Sequence, residues 1–306
     1  MTRMHIAMIG LGRMGGNMAR RLMRNGCRVS GYDESAATRE AFAREGVQAA
    51  SSLGELVAAL APPRLLWLMV PAGAATDAAL NTVAAHLQAG DTMVDGGNAY
   101  YRDSQRRGRE LAARSIQFVD CGVSGGVWGL DNGYALMFGG TPEAAQAVTP
   151  FIRMLAPSPD TGWLHCGPCG AGHFVKMIHN GIEYGMMQAY AEGIALMRNK
   201  KELDLDVAAI AEMWRHGSVV RSWLLDLTAD FLREDAALEH IAPLVADSGE
   251  GRWTALEAID QGIPAPVMSL ALMMRFASQG RSDYADKLLA MMRQRFGGHA
   301  VQKGGA

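Results

Sequence analysis

HIAMIGLGRMGGNMARRLMRNGCRVSGYD, residues 5–33, decides the fold. It opens with a short apolar run that ends at Gly10. Residues 14–25 then carry apolar groups at helical spacing and stop at Gly26, and residues 27–33 read as a second strand. Between the first strand and the helix stands Gly10-Leu11-Gly12-Arg13-Met14-Gly15, a G-x-G-x-x-G pattern. The first glycine permits a tight turn, the second lets the backbone approach a pyrophosphate, and the third lets helix and strand pack closely. The helix N-terminus then faces the negative charge. Asp33 closes the second strand, where a carboxylate can accept hydrogen bonds from adenosine ribose hydroxyls and repel a 2′-phosphate. These residues predict a dinucleotide site for NAD in preference to NADP. Met14 follows the turn and is placed to touch a nicotinamide ring. Arg39, several residues further on, is not read as a phosphate clamp.

The alternation continues outward. RLLWLMV (64–70), DTMVDGGN (91–98), IQFVDCGVSGG (116–126), YALMFGG (134–140) and roughly 161–166 read as further strands. Helix–strand alternation of this kind argues an α/β Rossmann-like domain with a mostly parallel sheet covered by helices. The loops Val70-Pro71-Ala72-Gly73, Gly96-Gly97-Asn98 and Ser124-Gly125-Gly126 fall at the carboxyl ends of strands, where ligands of such sheets bind. Each offers small residues and backbone N–H groups to a ligand, and each also fits plain turn chemistry. Past Gly170 strand signals vanish. Helical patterns occupy about 172–199, 206–215, 217–233, 252–261, 264–279 and 283–296, so an all-α C-terminal domain is expected. The expected division is a dinucleotide-binding domain at 1–168 and a helical substrate-binding and dimerisation domain at 169–306.

Bulk properties narrow the function. The chain has 306 residues, 49% hydrophobic and 20% charged, enough for two domains with cores. A net charge of −2 gives no argument for nucleic acid or an anionic membrane as partner. No apolar run reaches the length of a membrane span. The N-terminal apolar stretch is too short for a signal peptide and is broken by Arg13, so a cytoplasmic location is expected. Four cysteines do not make a disulfide framework. Cys166-Gly167-Pro168-Cys169, flanked by His165 and His173, has the spacing of a redox or zinc motif. No second C-x-x-C exists and the run follows a sheet domain, so it reads as a turn entering a helix. The 20 methionines read mainly as core filler.

The chemistry is concentrated in GAGHFVKMIHNGIEYG, residues 170–185. Lys176, His179, Asn180, Glu183 and Tyr184 lie at offsets of 0, 3, 4, 7 and 8 and therefore share one helical face. Five groups able to donate, accept or transfer protons in one stripe are costly to maintain for packing alone. A Lys and a Glu on one face can serve one substrate as base and acid, provided desolvation or neighbouring charge lets the lysine act neutral.

Taken together, GLGRMGGNMA (10–19), MVPAG (69–73), DGGN (95–98), VSGG (123–126), GAGHFVKMIHNGIEYG (170–185), GRWTALEAIDQGIP (251–264) and FGGH (296–299) resemble the decarboxylating 6-phosphogluconate dehydrogenases, in their short form. Other β-hydroxyacid dehydrogenases share the glycine turn, an SGG loop and a catalytic lysine, but not the HNGIEYG continuation. The resemblance implies metal-free oxidation of 6-phospho-D-gluconate to ribulose 5-phosphate and CO2, with NAD as hydride acceptor. It makes Lys176 the base and Glu183 the acid of the final protonation. It assigns Asn98, His179 and Asn180 to substrate hydroxyls; Ser124, Gly125 and Gly126 to the carboxylate; and Tyr184 and Arg275 to the phosphate. Gly10 to Gly15, Asp33, Val70, Pro71 and Asn98 would hold the cofactor. Arg293 and His299 match residues that complete a neighbouring subunit's site, which implies at least a homodimer.

Two departures qualify the resemblance. Tyr32-Asp33-Glu34 replaces the Asn-Arg-Thr type of run found in NADP users, which favours NAD. In Asp247-Ser248-Gly249-Glu250-Gly251-Arg252-Trp253-Thr254, Ser248 and Glu250 replace a lysine and a threonine of the phosphate loop. An acidic group beside a dianionic phosphate is unfavourable, so either Arg252, Arg275 and Arg293 compensate or the phosphate sits differently. Two alternatives therefore stand beside the first reading. One is an NAD-dependent dehydrogenase of another β-hydroxy acid, such as 3-hydroxyisobutyrate or unphosphorylated gluconate. The other is a non-catalytic nucleotide sensor, against which the Lys176 and Glu183 pair speaks.

Overall fold

A computed structural model of the chain describes residues 4–297 and 300–302, with the side chains of 296–297 excepted. The chain divides into two compact units after Ile178. The first unit runs β1 (His5–Ile9), α1 (Arg13–Arg24), β2 (Arg28–Tyr32), α2 (Ala36–Arg44), β3 (Gln48–Ala49), α3 (Leu53–Ala58), β4 (Leu65–Leu68) and α4 (Ala74–Ala84). It continues with β5 (Thr92–Asp95), α5 (Tyr101–Ala112), β6 (Gln117–Ser124), α6 (Gly129–Asn132), β7 (Ala135–Gly139), α7 (Pro142–Leu155) and β8 (Trp163–Gly167). The first two turns of α8 (Ala171–Asn199) also belong to it.

The eight strands form one sheet in the order β3-β2-β1-β4-β5-β6-β7-β8. Neighbours are parallel except β6 and β7, which pair antiparallel from Asp120↔Gly139 to Ser124↔Ala135. The mostly parallel sheet expected from the alternation is thus observed. The apolar runs read as continuous because both faces are covered. Along β1, Ile6 and Met8 enter one core cluster while Ala7 and Ile9 enter the other. In β4, Leu65 and Trp67 alternate with Leu66 and Leu68 in the same way. The strand order reverses between β1 and β4, which places the topological switch point, and the ligand crevice of such sheets, beside Gly10. β3 is a two-residue strand that no periodicity announces; it pairs Ser30↔Gln48 and Gly31↔Ala49.

The second unit holds the rest of α8, then α9 (Val207–Trp214), α10 (Trp223–Glu234), α11 (Glu250–Gln261), α12 (Pro266–Ser278) and α13 (Asp283–Gly297). No strand occurs in it among the described residues, in line with the all-α expectation. Two small clusters hold it: Ala211, Leu225, Ala229 and Leu232, and Tyr184, Ala271 and Leu272. The helix expected from residue 217 begins only at Trp223. Gly217 takes φ 87°, a left-handed turn, and Ser222 caps the helix by accepting from the Leu225 N–H. No helix among the described residues is long and apolar enough to cross a membrane.

Candidate active site

The turn after β1 is built as its glycines require. Gly10 has φ 87°, and a β-carbon there would come within 2.5 Å of the Met69 carbonyl oxygen. One at Gly15 would lie 2.0 Å from the Gly10 oxygen, so α1 can reach β1 only with glycine at that position. A β-carbon at Gly12 would meet nothing within 4 Å, which leaves its backbone open to a ligand. No side chain caps α1 and its first turn has no acidic residue. The helix therefore offers N–H groups and the positive end of its dipole to an anion. Met14 is partly buried against the core, while Gly12 and Arg13 are exposed.

Asp33 is fixed from both sides. Its carboxylate accepts from the Leu11 N–H at 2.8 Å and the Ser35 N–H at 2.9 Å. An ionised carboxylate has about four acceptor positions, so two remain for ribose hydroxyls. Arg39 donates to the backbone oxygens of Asp33 and Glu34, at 2.7 and 3.1 Å. Its Nη1 is thus engaged with main chain.

Val70 brings the neighbouring loops together. Its Cγ1 lies 3.2 Å from where a Gly10 β-carbon would stand, and its oxygen 2.8 Å from that of Gly97. Pro71 and Asn98 are exposed beside it. Beneath these loops runs a network that sequence reading missed. Arg107 of α5 is buried and donates to Asp95 at 3.1 Å, to Asp77 at 2.8 Å and to the Gly73 oxygen at 3.4 Å. Asp95, fully buried at the end of β5, accepts from the Gly97 N–H at 3.1 Å. One guanidinium therefore ties the Val70–Gly73 loop to the Gly96–Asn98 loop. Burial pushes the Asp77 carboxyl up, but hydrogen bonds from Arg107 and Arg106 outweigh it and hold the group below its ordinary value. The available signal was an aspartate ending a buried strand, which needs a partner.

The start of α8 sits directly on β6 and β7. A β-carbon at Gly172 would fall 2.4 Å from the Asp120 oxygen and 2.7 Å from the Met137 oxygen. One at Gly122 would fall 2.3 Å from the Lys176 Cβ, so the lysine stem rests on bare strand. Lys176 is among the few buried charged residues, 9% exposed. Gly122 and Ser124 are two residues apart on β6 and share its face, which places Ser124 on the lysine's side of the sheet. Gly125 and Gly126 follow with φ 140° and 53°, conformations that favour glycine. The buried Tyr134 ring packs under this turn, 3.1 Å from a Gly125 β-carbon, and burial pushes its phenol up to about 12.

Asp120 and His173 are further residues that spacing did not reveal. Both oxygens of the buried Asp120 serve α8, accepting from Gly170 N–H at 2.6 Å and His173 N–H at 2.8 Å. Burial raises the Asp120 carboxyl against the pull of His173 and these donors. The His173 ring meets Ser104 of α5, Nδ1 to Oγ, at 2.6 Å.

In the second unit, His179 Nδ1 lies 3.0 Å from Asn180 Oδ1 and 3.8 Å from a Glu183 oxygen. Tyr184 is buried, with its hydroxyl 3.2 Å from Ser248 Oγ. Its ring packs against Gly251, where a β-carbon would intrude to 2.4 Å, and under the Arg275 guanidinium at 3.4 Å. Tyr184, Ser248 and Arg275 are therefore gathered. Arg252 pairs with Asp247 and stacks over Phe276. Glu250 is 2% exposed, and its Oε2 has no hydrogen-bond partner among the described residues. Arg293 stands exposed on α13, and His299 lies outside the described residues.

The C-x-x-C residues are free thiols. Cys169 donates to the Ser104 oxygen at 3.3 Å, and burial pushes its thiol up to about 12. No cluster of three or more His, Cys, Asp or Glu able to hold a metal occurs among the described residues. At pH 8 the Cys169 thiolate fraction is on the order of 10⁻⁴. Iodoacetamide at that pH is expected to leave Cys169 unmodified over an hour, as read by peptide mass spectrometry. Rapid labelling would overturn that description of the turn.

Comparison with known proteins bears on both units. The family model for the NAD binding domain of 6-phosphogluconate dehydrogenase matches residues 5–167, and that for its C-terminal domain matches 172–303. A Haloferax volcanii 6-phosphogluconate dehydrogenase, NAD(+)-dependent and decarboxylating, is 40% identical over 98% of this chain and 99% of its own length. An NADP(+)-dependent, decarboxylating relative from Bacillus subtilis is 38% identical over 91% of this chain and 62% of its own. Among solved structures, the Plasmodium falciparum 6-phosphogluconate dehydrogenase, studied alone, with NADP+ and with 6-phosphogluconate, superposes with a TM-score of 0.84. It is 28% identical, and the match covers 98% of this chain and 66% of that one.

Proposed function

Because the chain belongs to the 6-phosphogluconate dehydrogenase family of enzymes, we propose that it oxidises and decarboxylates 6-phospho-D-gluconate with NAD, giving ribulose 5-phosphate and CO2. The observation that carries this reading is the seating of Lys176 on Gly122, on the face of β6 that also bears Ser124. The glycine turn fits a dinucleotide. It has open space over Gly12, an uncapped helix start and a carboxylate already oriented at Asp33. Gly10 to Gly15 would hold the pyrophosphate, Asp33 the adenosine ribose, and Val70, Pro71 and Asn98 the nicotinamide end. NAD, when bound, accepts a hydride.

Lys176, acting neutral, takes the C3 hydroxyl proton as the C3 hydride departs. The product is a β-keto acid, whose carbonyl receives the electron pair of the breaking C1–C2 bond as CO2 leaves. Protonated Lys176 supports the charge gathering on the C3 oxygen at that moment. Glu183 then delivers a proton to the carbon that carried the carboxylate, which converts the enediol to the ketose. Ser124, Gly125 and Gly126 hold the carboxylate, Asn98, His179 and Asn180 the hydroxyls, and Tyr184 and Arg275 the phosphate.

The enzyme works as a homodimer at least. In support, α11, α12 and α13 leave large apolar side chains exposed, among them Ile259, Val267, Leu270, Leu289 and Met292. So many large apolar side chains left in solvent on these helices fit an association face. Arg293 and His299 would complete the neighbouring subunit's phosphate site.

Steady-state kinetics with 6-phosphogluconate, gluconate and 3-hydroxyisobutyrate, each with NAD and NADP, test the reading. Equal yields of NADH and CO2 are expected from 6-phosphogluconate. A 2′-phosphate beside Asp33 meets repulsion of about 1–4 kcal/mol, so kcat/KM should favour NAD at least about fivefold. One observation favours a second reading, a dehydrogenase of an unphosphorylated β-hydroxy acid: the acidic Glu250 is buried at the start of α11, next to Gly251, against which Tyr184 packs. A clear preference for gluconate or 3-hydroxyisobutyrate would establish that reading instead.

A further inference from the structure

We propose that Asp120 is a positioning residue, one that sets how far along β6 the lysine-bearing helix sits and so where the Lys176 amine is delivered. The inference deepens the reading of Lys176 as the base and rests on it. Asp120 is fully buried in the middle of β6. The strand does not need its side chain, because the Asp120 backbone is already paired with both neighbours, at Asp95 and Gly139. A buried carboxylate is unfavourable unless its oxygens find donors. Here both oxygens go to one place, the first turn of α8, through Gly170 N–H at 2.6 Å and His173 N–H at 2.8 Å. α8 is thus capped from a neighbouring strand.

The spacing of the contacts gives this cap its consequence. From Asp120 to Gly122 the strand advances about 6.6 Å. From His173 to Lys176 the helix advances about 4.5 Å. The helix is held to the strand at both ends of that step, by the cap at Asp120 and by the Lys176 β-carbon against Gly122. A helix held at one point can still slide or roll. Held at two, with the His173 ring tied to Ser104 on α5 at 2.6 Å, it keeps both rise and rotation. Slipping by one residue would shift the helix by about 1.5 Å and turn it by about 100°. That would carry Lys176 off Gly122 and away from the face that bears Ser124. Gly172, whose backbone lies against the Asp120 and Met137 oxygens, permits the close approach but supplies no directional bond. The direction comes from the carboxylate.

The test uses the full chain with Asp120→Asn, which keeps the shape and one acceptor, and Asp120→Ala, which keeps neither. Ser104→Ala, which releases the His173 ring alone, serves if the alanine variant at 120 does not fold. Hydrogen exchange of the free protein should show amides at 170–174 opening about tenfold faster or more, with α1 and β1 unchanged. With 6-phosphogluconate and NAD, kcat should fall about 10–100-fold, as displacing a reacting group by about 1 Å does. KM for NAD should stay within about twofold, because the glycine turn is untouched. The deuterium isotope effect on kcat from 3-deuterated substrate should exceed that of the parent enzyme, because a misplaced base slows the oxidation step itself. Asp120→Asn should lie between the parent and Asp120→Ala. If exchange quickens evenly throughout the chain, and activity falls only with the folded fraction at an unchanged isotope effect, Asp120 is merely structural and the proposal is wrong. If the parent enzyme does not turn over 6-phosphogluconate, the functional reading fails. The exchange measurement then decides on its own, with local opening supporting the anchor and unchanged protection refuting it.

Discussion

Lys176→Ala is expected to lower kcat by about 10²–10⁴-fold while leaving the fold and NAD binding intact. The magnitude is what removal of a positioned general base costs. The separation from stability follows from geometry. Alanine retains the β-carbon that rests on Gly122, so the seat of α8 on β6 survives and only the stem and amine are removed. The glycine turn and Asp33 are built from other elements, with Asp33 held by Leu11 and Ser35. NADH titration by fluorescence should therefore give a dissociation constant within about twofold of the parent, while single-turnover oxidation nearly vanishes. A folded Lys176→Ala enzyme with near-normal turnover would remove the lysine from the chemistry. Glu183→Gln makes a useful contrast, since it should spare the oxidation and slow the final protonation.

Arg107→Ala should destabilise the first unit by about 3–5 kcal/mol, the cost of removing one partner from a buried ion pair. Asp95 is fully buried; among the described residues its charged partner is Arg107 at 3.1 Å, with the Gly97 N–H as a further donor. Asp77 is about a third exposed, so water replaces much of what it loses. The expected penalty therefore sits with Asp95. Adding Asp95→Asn to Arg107→Ala should restore part of the loss, because the stranded charge disappears with it. Urea unfolding of the single and double variants reads both numbers. A cost under about 1 kcal/mol for Arg107→Ala would show that the pair is not what holds these loops. Because Arg107 also donates to the Gly73 oxygen, KM for NAD should rise in this variant, unlike in the lysine variant.

The parts of the molecule legible in its sequence are those whose physics is local. A turn needing glycine at positions 10 and 15, between a two-sided apolar strand and an amphipathic helix, leaves few other arrangements. The stripe from Lys176 to Tyr184 follows from helical spacing alone. What escaped reading is made by partners distant in the chain. Asp120 looked like one more residue of a strand until its two donors, some fifty residues on, were seen together. Arg107 sat in a charged helix that resembles a solvated surface, although it is buried. β3 has only two residues, too few for any period to register. The extra turn expected before Trp223 was lost to Gly217 and the Ser222 cap, each a single-residue decision that outweighs an apolar pattern. At Ser248 and Glu250 the chain departs from the pattern it resembles. There the structure supplies what comparison could not: a serine hydroxyl bonded to Tyr184 and a glutamate kept from solvent.

The missing side chain at Gly122 separates two kinds of variation. Val119 and Cys121, on the opposite face of β6, belong to the main core, which drifts as cores do through compensating exchanges of volume. Such changes ordinarily reach an active site through the side chains stacked between. Gly122 itself has none to pass them on: the lysine stem rests on its main chain, whose path is set by pairing with β5 and β7, with the Met137 side chain of β7 beside it. The core behind the strand can thus diverge across descendants while Lys176 keeps its seat. Change at that seat enters instead from its own face, through Met137 and the first turns of α8.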